Sequence, residues 1–157
     1  MISAEQRSKI MAQIGSKNTK PEIIVRKWLH RRGFRFRLHR ADLPGKPDIV
    51  LPKFKTIIFI HGCFWHQHLN CKKSTLPKNN STYWEEKFKR NLKNDSKAIS
   101  QLQESGWQVI IIWECEVLNG EYQNIIKSRV GKESSPRTAV NSDPVTYSPL
   151  QPLVETC

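Results

Sequence analysis

The stretch PDIVLPKFKTIIFIH, residues 47–61, decides the fold, because it carries two short β-branched segments separated by a proline and two lysines. Asp48–Leu51 and Thr56–Ile60 have the composition of strands, and the break between them predicts a hairpin. Further along, Val109–Trp113 is a continuous apolar run, which is typical of a strand covered on both faces. These three segments predict the central sheet.

The segments around these strands indicate helices. Apolar residues recur at helical spacing over residues 3–14, 19–33, 81–106 and 122–130. Thr19, Pro21 and Glu22 predict a capping box with a tolerated proline at the start of the second helix. Phe34–Leu38 alternates apolar and basic residues and predicts a further strand, whereas residues 61–80 read as an irregular loop. The order of elements predicts an α/β domain with a mixed central sheet flanked by helices.

The chain has 157 residues, enough for one domain with a sizeable core. We assign this domain to residues 1–130. Residues 131–157 hold four of the nine prolines without any periodicity, so we expect a disordered tail. No apolar run approaches the roughly 20 residues that span a bilayer, and the polar N-terminus lacks the apolar region of a signal peptide. We therefore expect a cytoplasmic protein.

The charge of the chain indicates a polyanionic partner. The net charge is +12 and the pI is near 9.8. Residues 131–157 hold two of the 26 basic and three of the 14 acidic residues, which leaves +13 on residues 1–130. The predicted domain thus carries the positive field, as in a nucleic-acid-binding protein. A ribosomal or otherwise merely basic surface is the alternative.

Three of the four cysteines predict a metal site. Cys63, His68 and Cys71 lie within nine residues of one another, and Cys115 directly follows the predicted buried strand. Thiolates and imidazoles are ligands of zinc, and four of them complete a closed structural site. The alternative is that the cysteines are small buried hydrophobic residues and that His68 lies on the surface. Cys157 has no evident role.

Three ordered motifs then carry a family resemblance. HGCFWHQHLNC (residues 61–71), LPGKPDIV (residues 43–50) and GWQVIIIWEC (residues 106–115) resemble the very-short-patch mismatch repair (Vsr) endonucleases over roughly residues 5–118. That family nicks DNA beside the thymine of a T·G mismatch, which arises when 5-methylcytosine deaminates. The resemblance implies a restriction-endonuclease-like fold with a structural zinc, and a bacterial protein associated with the nucleoid.

The resemblance also implies the zinc ligands Cys63, His68, Cys71 and Cys115. The loop between His66 and Cys71 departs from the commonest family pattern, since some members are shorter or richer in histidine there. This departure leaves His68 as the local histidine ligand unless His66 is diverted from catalysis.

The resemblance implies a magnesium site as well. Restriction-type nucleases pair an aspartate on one strand with a carboxylate-x-lysine motif on the next, and here Phe59-Ile60-His61 replaces the second motif. We expect Asp48 and the backbone carbonyl of Ile60 to bind Mg²⁺, and Glu22 to orient waters around it. Without the family, Asp48 would be read as an exposed residue at the start of a strand.

Two histidines complete the expected catalytic set. His66 is the candidate general base, with Asp95 as its orienting carboxylate. His61 is expected to contact the scissile phosphate as a hydrogen-bond donor or general acid. Without the family, Asp95 would be read as a solvated helix charge.

Aromatic residues are the candidates for reading the mismatch. By resemblance, Phe64, Trp65 and Trp84 form a wedge that separates base pairs. The alternative is that they pack in the core, above all Trp84, which also fits the apolar stripe of its helix. A basic set is expected to hold the DNA backbone: Arg26, Lys27, Arg31, Arg32, Arg35, Arg37 and Arg40.

The expected partner is double-stranded DNA with a T·G mismatch, with other mismatch repair proteins as further candidates. A monomer is expected, because a T·G pair has no two-fold symmetry. Two alternatives stay open: a non-catalytic, zinc-stabilised DNA-binding protein, and a restriction or phage-defence nuclease of the same fold.

Overall fold

The computed structural model describes residues 17–130 without a gap, together with residues 3, 5, 6, 9, 10 and 15. The helix expected over residues 3–14 lies mostly outside the described residues, and the tail with Cys157 lies wholly outside them. The elements are α1 (Lys20–Arg31), β1 (Arg37–Leu38), β2 (Ile49–Leu51), a 3₁₀ turn (Pro52–Phe54), β3 (Thr56–His61), α2 (Ser81–Glu104), β4 (Gln108–Trp113), α3 (Glu114–Asn119) and α4 (Tyr122–Arg129). None of the described helices is long and apolar enough to cross a membrane.

The four strands form one sheet in the order β1-β2-β3-β4. The predicted hairpin is confirmed, since β2 runs antiparallel to β3 with Ile49 opposite Ile58. β1 is antiparallel to β2, whereas β4 is parallel to β3, with Thr56 opposite Gln108 and His61 opposite Trp113. The predicted mixed sheet with flanking helices is therefore confirmed.

Helices cover both faces of the sheet. On one face, apolar residues of β2, β3 and β4 pack with residues of α1, α3 and α4, among them Leu29, Val117 and Ile126. On the other face, Ile57 and Phe59 pack with Leu102 near the end of α2. Side chains of a strand alternate between faces, so each central strand contributes to both layers.

Some local predictions are wrong. The capping box does not form: Thr19 precedes α1 without a side-chain cap, and the Glu22 carboxylate accepts hydrogen bonds from the Asn18 N–H and the Thr19 hydroxyl instead. The strand expected over Phe34–Leu38 is reduced to β1, because Phe34 and Phe36 pack against the core rather than pairing with β2.

At β4, only one face is fully buried. Ile110 and Ile112 are buried, whereas Val109, Ile111 and Trp113 are half-buried. The short helix α3 was not expected either. It begins where the Trp113 N–H donates to Oε2 of Glu116 at 2.8 Å, and it ends before Gly120, whose φ is +87°.

This topology gathers the predicted site residues at one edge of the sheet. Parallel strands end at the same edge, so His61 at the end of β3 lies beside Trp113, and Cys115 follows it. β2 runs the other way, so Asp48, just before β2, lies at that edge too.

Candidate active site and metal centre

The loop after β3 is fastened to the rest of the domain. Within the loop, the His66 N–H donates to the Gly62 carbonyl at 3.1 Å and the His68 N–H donates to the Cys63 carbonyl at 3.0 Å. From α2, Nδ2 of Asn91 donates to the Trp65 carbonyl at 3.0 Å. A turn-rich segment is thereby held in place beneath α2.

The structure brings Cys63, His68, Cys71 and Cys115 together, and we call them the cysteine cluster. One ligand atom from each lies within 4.8 Å of all the others. Nδ1 of His68 is 3.6 Å from the Cys63 sulfur and 3.3 Å from the Cys115 sulfur. Zinc bonds of about 2.3 Å to sulfur and 2.0 Å to nitrogen at a tetrahedral angle place S and N roughly 3.5 Å apart. The donor set and its spacing therefore fit a tetrahedral cation.

The hydrogen-bonding needs of the cluster support the same conclusion. A single ring nitrogen accepts one hydrogen bond, yet two sulfurs lie against Nδ1 of His68. Burial raises the pKa of the Cys63 thiol to about 12. A bound cation would satisfy all four groups at once and favour the thiolate.

A cleft of about 770 Å³ lies next to this cluster. Six titratable residues of two clusters line it: Glu22, His39, Asp48, His61, His66 and Asp95. The structure thus gathers all five expected catalytic residues in one place and adds His39.

Asp48 lies on one side of the cleft. Its Oδ2 accepts the Ile60 N–H at 2.7 Å. The N–H and C=O of a residue in a strand point to the same side, so the Ile60 carbonyl also faces β2. Burial, with a further contribution from the Glu22 carboxylate, raises the pKa of Asp48 to about 6. A cation near this carboxylate would relieve its unfavourable charge.

Glu22 and His39 complete this side, which with Asp48 and Arg26 we call the Asp48 wall. Glu22 is almost fully buried, and Nη2 of Arg26 donates to its Oε2 at 2.6 Å. The same Nη2 lies 2.8 Å from Nε2 of His39. Burial lowers the pKa of His39, with Arg26 and Lys17 acting in the same direction against Glu22.

The opposite side of the cleft is a histidine pair held by α2. Nδ1 of His66 lies 2.5 Å from Oδ2 of Asp95, which places the ring proton on Nδ1 and leaves Nε2 as an acceptor. His61 stacks on His66 with ring centroids 3.9 Å apart. Burial, followed by the neighbouring His66, lowers the pKa of His61 to about 3. His61 is therefore neutral, which favours the hydrogen-bond donor over the general acid.

The three expected wedge residues form one aromatic patch beside the cleft. Phe64 contacts Trp65 and Trp84 edge-on, with ring centroids 5.1 and 5.5 Å away. All three are half-buried, and Phe88 of α2 is the fully buried residue beneath them. Nζ of Lys87 lies over the rings of Trp65 and Trp84. The patch is neither a closed core nor a free surface.

The basic set is only partly available to DNA. Arg26 is largely buried and pairs with Glu22, which leaves little of its side chain exposed to the DNA backbone. Arg32 lies over the Trp28 ring and Arg40 pairs with Asp42, although both keep some exposure. The other members are exposed: Lys27, Arg31, Arg35 and Arg37.

Sequence reasoning missed His39 as a residue that lines the cleft and did not foresee that Arg26 pairs with Glu22. His39 follows the alternating basic segment and precedes the motif at residues 43–50, with no spacing pattern that would single it out. Its contact with Arg26 spans thirteen residues. Only the position of a lone histidine beside a predicted catalytic motif could have drawn attention to it.

Comparison with known proteins gives a consistent family. The family model described as DNA mismatch endonuclease Vsr matches residues 1–73. The Type II nicking enzyme V.NmeAIP of Neisseria meningitidis is 47% identical over 76% of this chain and 84% of that protein. The Type II nicking enzyme V.XorIIP of Xanthomonas oryzae is 47% identical over 74% and 85%. The DNA mismatch endonuclease Vsr of Escherichia coli is 41% identical over 73% of each chain.

Proposed function

The chain belongs to the Vsr family of DNA mismatch endonucleases, and from this premise we propose that it nicks one strand of duplex DNA beside the thymine of a T·G mismatch left by deamination of 5-methylcytosine. The observation that carries the proposal is the shared cleft, which both Asp48 and the His66–Asp95 pair line. A restriction-endonuclease-like fold is part of the proposal, supported by the mixed sheet with helices on both faces.

The residues of the Asp48 wall support the proposal of a bound magnesium ion. Asp48 and the Ile60 carbonyl offer the hard oxygen donors that Mg²⁺ prefers, and Glu22 lies close enough to orient surrounding waters. A magnesium ion bound there would supply positive charge to the phosphate as it is attacked. Asp48 would hold the cation, and the Ile60 N–H, which donates to Oδ2, keeps the carboxylate in one orientation.

The histidine pair supplies proton transfer. Asp95 holds His66 with its Nε2 lone pair free, so His66 can accept a proton from an attacking water. The neutral ring of His61, stacked on His66, is fixed where an N–H can donate to a phosphate oxygen. Nδ1 of His61 is buried and has no hydrogen-bond partner among the described residues, so a ligand in the cleft cannot reach it, and Nε2 is the nitrogen that we propose as the donor.

The residues of the cysteine cluster support the proposal of a structural zinc. Its four soft ligands are complete without an open position, which is the pattern of a structural site rather than a catalytic one. Zinc there would tie the loop after β3 to the end of β4 through Cys63 and Cys115. It would also fix Phe64 and Trp65, which lie between the ligands in sequence.

The aromatic patch supports mismatch reading. Phe64 and Trp65 already lie outside the closed core, so insertion between base pairs does not require the domain to open. A T·G wobble is easier to unstack than a matched pair. One asymmetric pair is read and one strand is cut, so we propose that a monomer acts, with other mismatch repair proteins as candidate partners.

A panel of end-labelled duplexes tests the function. Each duplex differs at one position, which is T·G, T·A, C·G or another mismatch, and nicking of each strand is followed with and without Mg²⁺. We expect Mg²⁺-dependent nicking of the thymine strand of the T·G duplex alone. Equal nicking of matched duplexes would instead indicate a restriction or defence nuclease. Tight binding with no nicking on any duplex would indicate a non-catalytic DNA-binding protein.

A further inference from the structure

The Asp48 wall already contains a positively charged side chain, the guanidinium of Arg26. Ligand atoms of Glu22, His39 and Asp48 lie within 4.8 Å of one another, a spacing that would suit a metal ion. The guanidinium of Arg26 lies among them, with Nη2 at 2.6 Å from Oε2 of Glu22 and at 2.8 Å from Nε2 of His39. Because a positive charge already faces Nε2 of His39, a metal ion is not expected to bind that nitrogen.

The guanidinium also decides the tautomer of His39. Arginine carries only hydrogen-bond donors and stays protonated, so Nε2 of His39 must be the acceptor. The ring is therefore neutral and carries its proton on Nδ1. Glu22 lies 3.4 Å from the same Nε2 but cannot receive a proton from it in this state.

The backbone of His39 is fixed as well. Its N–H donates to the Asp48 carbonyl at 3.3 Å, which joins the histidine to the residue that is proposed to hold the cation. Its φ is +46°, an αL conformation in which histidine is uncommon. The side chain lines the cleft, and Nδ1 has no hydrogen-bond partner among residues 17–130.

We propose that His39 is a substrate-binding residue whose Nδ1–H donates to a phosphate oxygen of the nicked strand, with Arg26 as the positioning residue that fixes the tautomer. The proposal rests on the proposed nuclease function. A neutral donor in this place binds phosphate without repelling a cation at Asp48, whereas a second exposed cationic side chain would compete with it. The positive charge of Arg26 is paired with the Glu22 carboxylate, and both side chains are largely buried.

Two matched variants test the donor. The asparagine amide nitrogen branches from Cγ, as Nδ1 does, whereas the glutamine nitrogen lies one bond farther, near the place of Nε2. In Ca²⁺ without Mg²⁺, we expect His39→Gln to bind a T·G duplex roughly tenfold more weakly than the wild type, and His39→Asn to recover most of that loss. Equal binding by both variants and the wild type would overturn the proposal. Thermal unfolding checks that both variants fold.

A substitution in the DNA identifies the contact. Single methylphosphonates, which remove the charge of one phosphate, are placed in turn along the nicked strand near the mismatch. At one position we expect weaker binding by the wild type but no further weakening by His39→Gln. If the two losses add at every position, His39 does not contact a phosphate. Nicking of the unmodified T·G duplex is measured in parallel, so that absence of any nuclease activity is distinguished from failure of this inference.

The role of Arg26 is tested by the tautomer itself. Long-range ¹H–¹⁵N spectra of the free protein report which ring nitrogen of His39 carries the proton. We expect the proton on Nδ1 in the wild type and a mixture of tautomers in Arg26→Met. A purely structural arginine would leave the tautomer unchanged, and a wild-type ring protonated on Nε2 would overturn the assignment.

Discussion

The cysteine cluster and the Asp48 wall lie at the same edge of the sheet but arrange their donors in opposite ways. The cluster is closed: one ligand atom from each of its four residues lies within 4.8 Å of all the others. The wall is open: Asp48 offers one carboxylate to a cleft, and the neighbouring Glu22 is already neutralised by Arg26. The difference fits our proposal of a structural metal in the cluster and a catalytic metal at the wall.

The largest effect is expected from removing the open site. Asp48→Ala should reduce Mg²⁺-dependent nicking of a T·G duplex by roughly 10³-fold or more, because the only direct carboxylate ligand is lost. Binding of the same duplex without Mg²⁺ should be unchanged. Asp42→Ala is the matched control, since Asp42 is an exposed aspartate paired with Arg40. Full activity of Asp48→Ala would remove the distinction between the two regions.

Removing a ligand of the cysteine cluster should lower the stability of the domain rather than alter the nicking reaction directly. Cys115→Ser removes the one ligand that comes from the far end of β4, so the loop loses its tie to the sheet. We expect less than one zinc per chain and a loss of roughly 3 kcal/mol or more in the free energy of unfolding. Zinc content is measured by mass spectrometry of the purified protein and stability by urea unfolding. Cys157→Ser is the control, and this variant should bind as much zinc as the wild type. An unchanged zinc content in Cys115→Ser would contradict the assignment of this ligand.

The histidine pair lines the same cleft as the Asp48 wall. The carboxylate of Asp95, which holds His66, can be neutralised by asparagine without a change of shape. Asp95→Asn should lower the nicking rate at saturating DNA by roughly 10²-fold, because His66 loses the negative charge that stabilises its protonated ring, and the new amide can donate to Nδ1 and favour the wrong tautomer. Zinc content and duplex binding should stay as in the wild type. Glu104→Gln, an exposed acid on the same helix, provides the comparison. A loss of zinc or of binding in Asp95→Asn would mean that Asp95 supports the loop rather than the reaction.

The regions also differ in how far the sequence predicted them. The hairpin and α2 were predicted because their periodicity reflects burial over several residues, as at Ile57, Ile58 and Leu102. The cysteine cluster was predicted because ligand chemistry restricts which residues can serve. Glu22 was misread as part of a capping box, because the local pattern says nothing of the buried Arg26 that pairs with it. Tertiary contacts of this kind determine the Asp48 wall, so His39 was missed.

The pH dependence of stability separates the open site from a merely structural one. Burial raises the pKa of Asp48 to about 6, so the folded chain loses this proton at higher pH than the unfolded chain does. The free energy of unfolding should therefore fall as pH rises between about 4 and 6 and remain lower above that range. Asp48→Asn cannot ionise and should be more stable than the wild type by up to about 3 kcal/mol at pH 7, with no advantage near pH 4.

Urea unfolding at the two pH values without Mg²⁺ measures this difference. The control is Asp42→Asn, because the hydrogen bond from Arg40 lowers the pKa of Asp42 and neutralising that group should not stabilise the chain at pH 7. Mg²⁺ should raise the stability of the wild type and leave Asp48→Asn unaffected, since binding to the folded state alone stabilises it. A wild type that is as stable as Asp48→Asn at pH 7 without Mg²⁺ would show that the carboxylate is already compensated within the protein. In that case, a cation would not be needed to balance its charge.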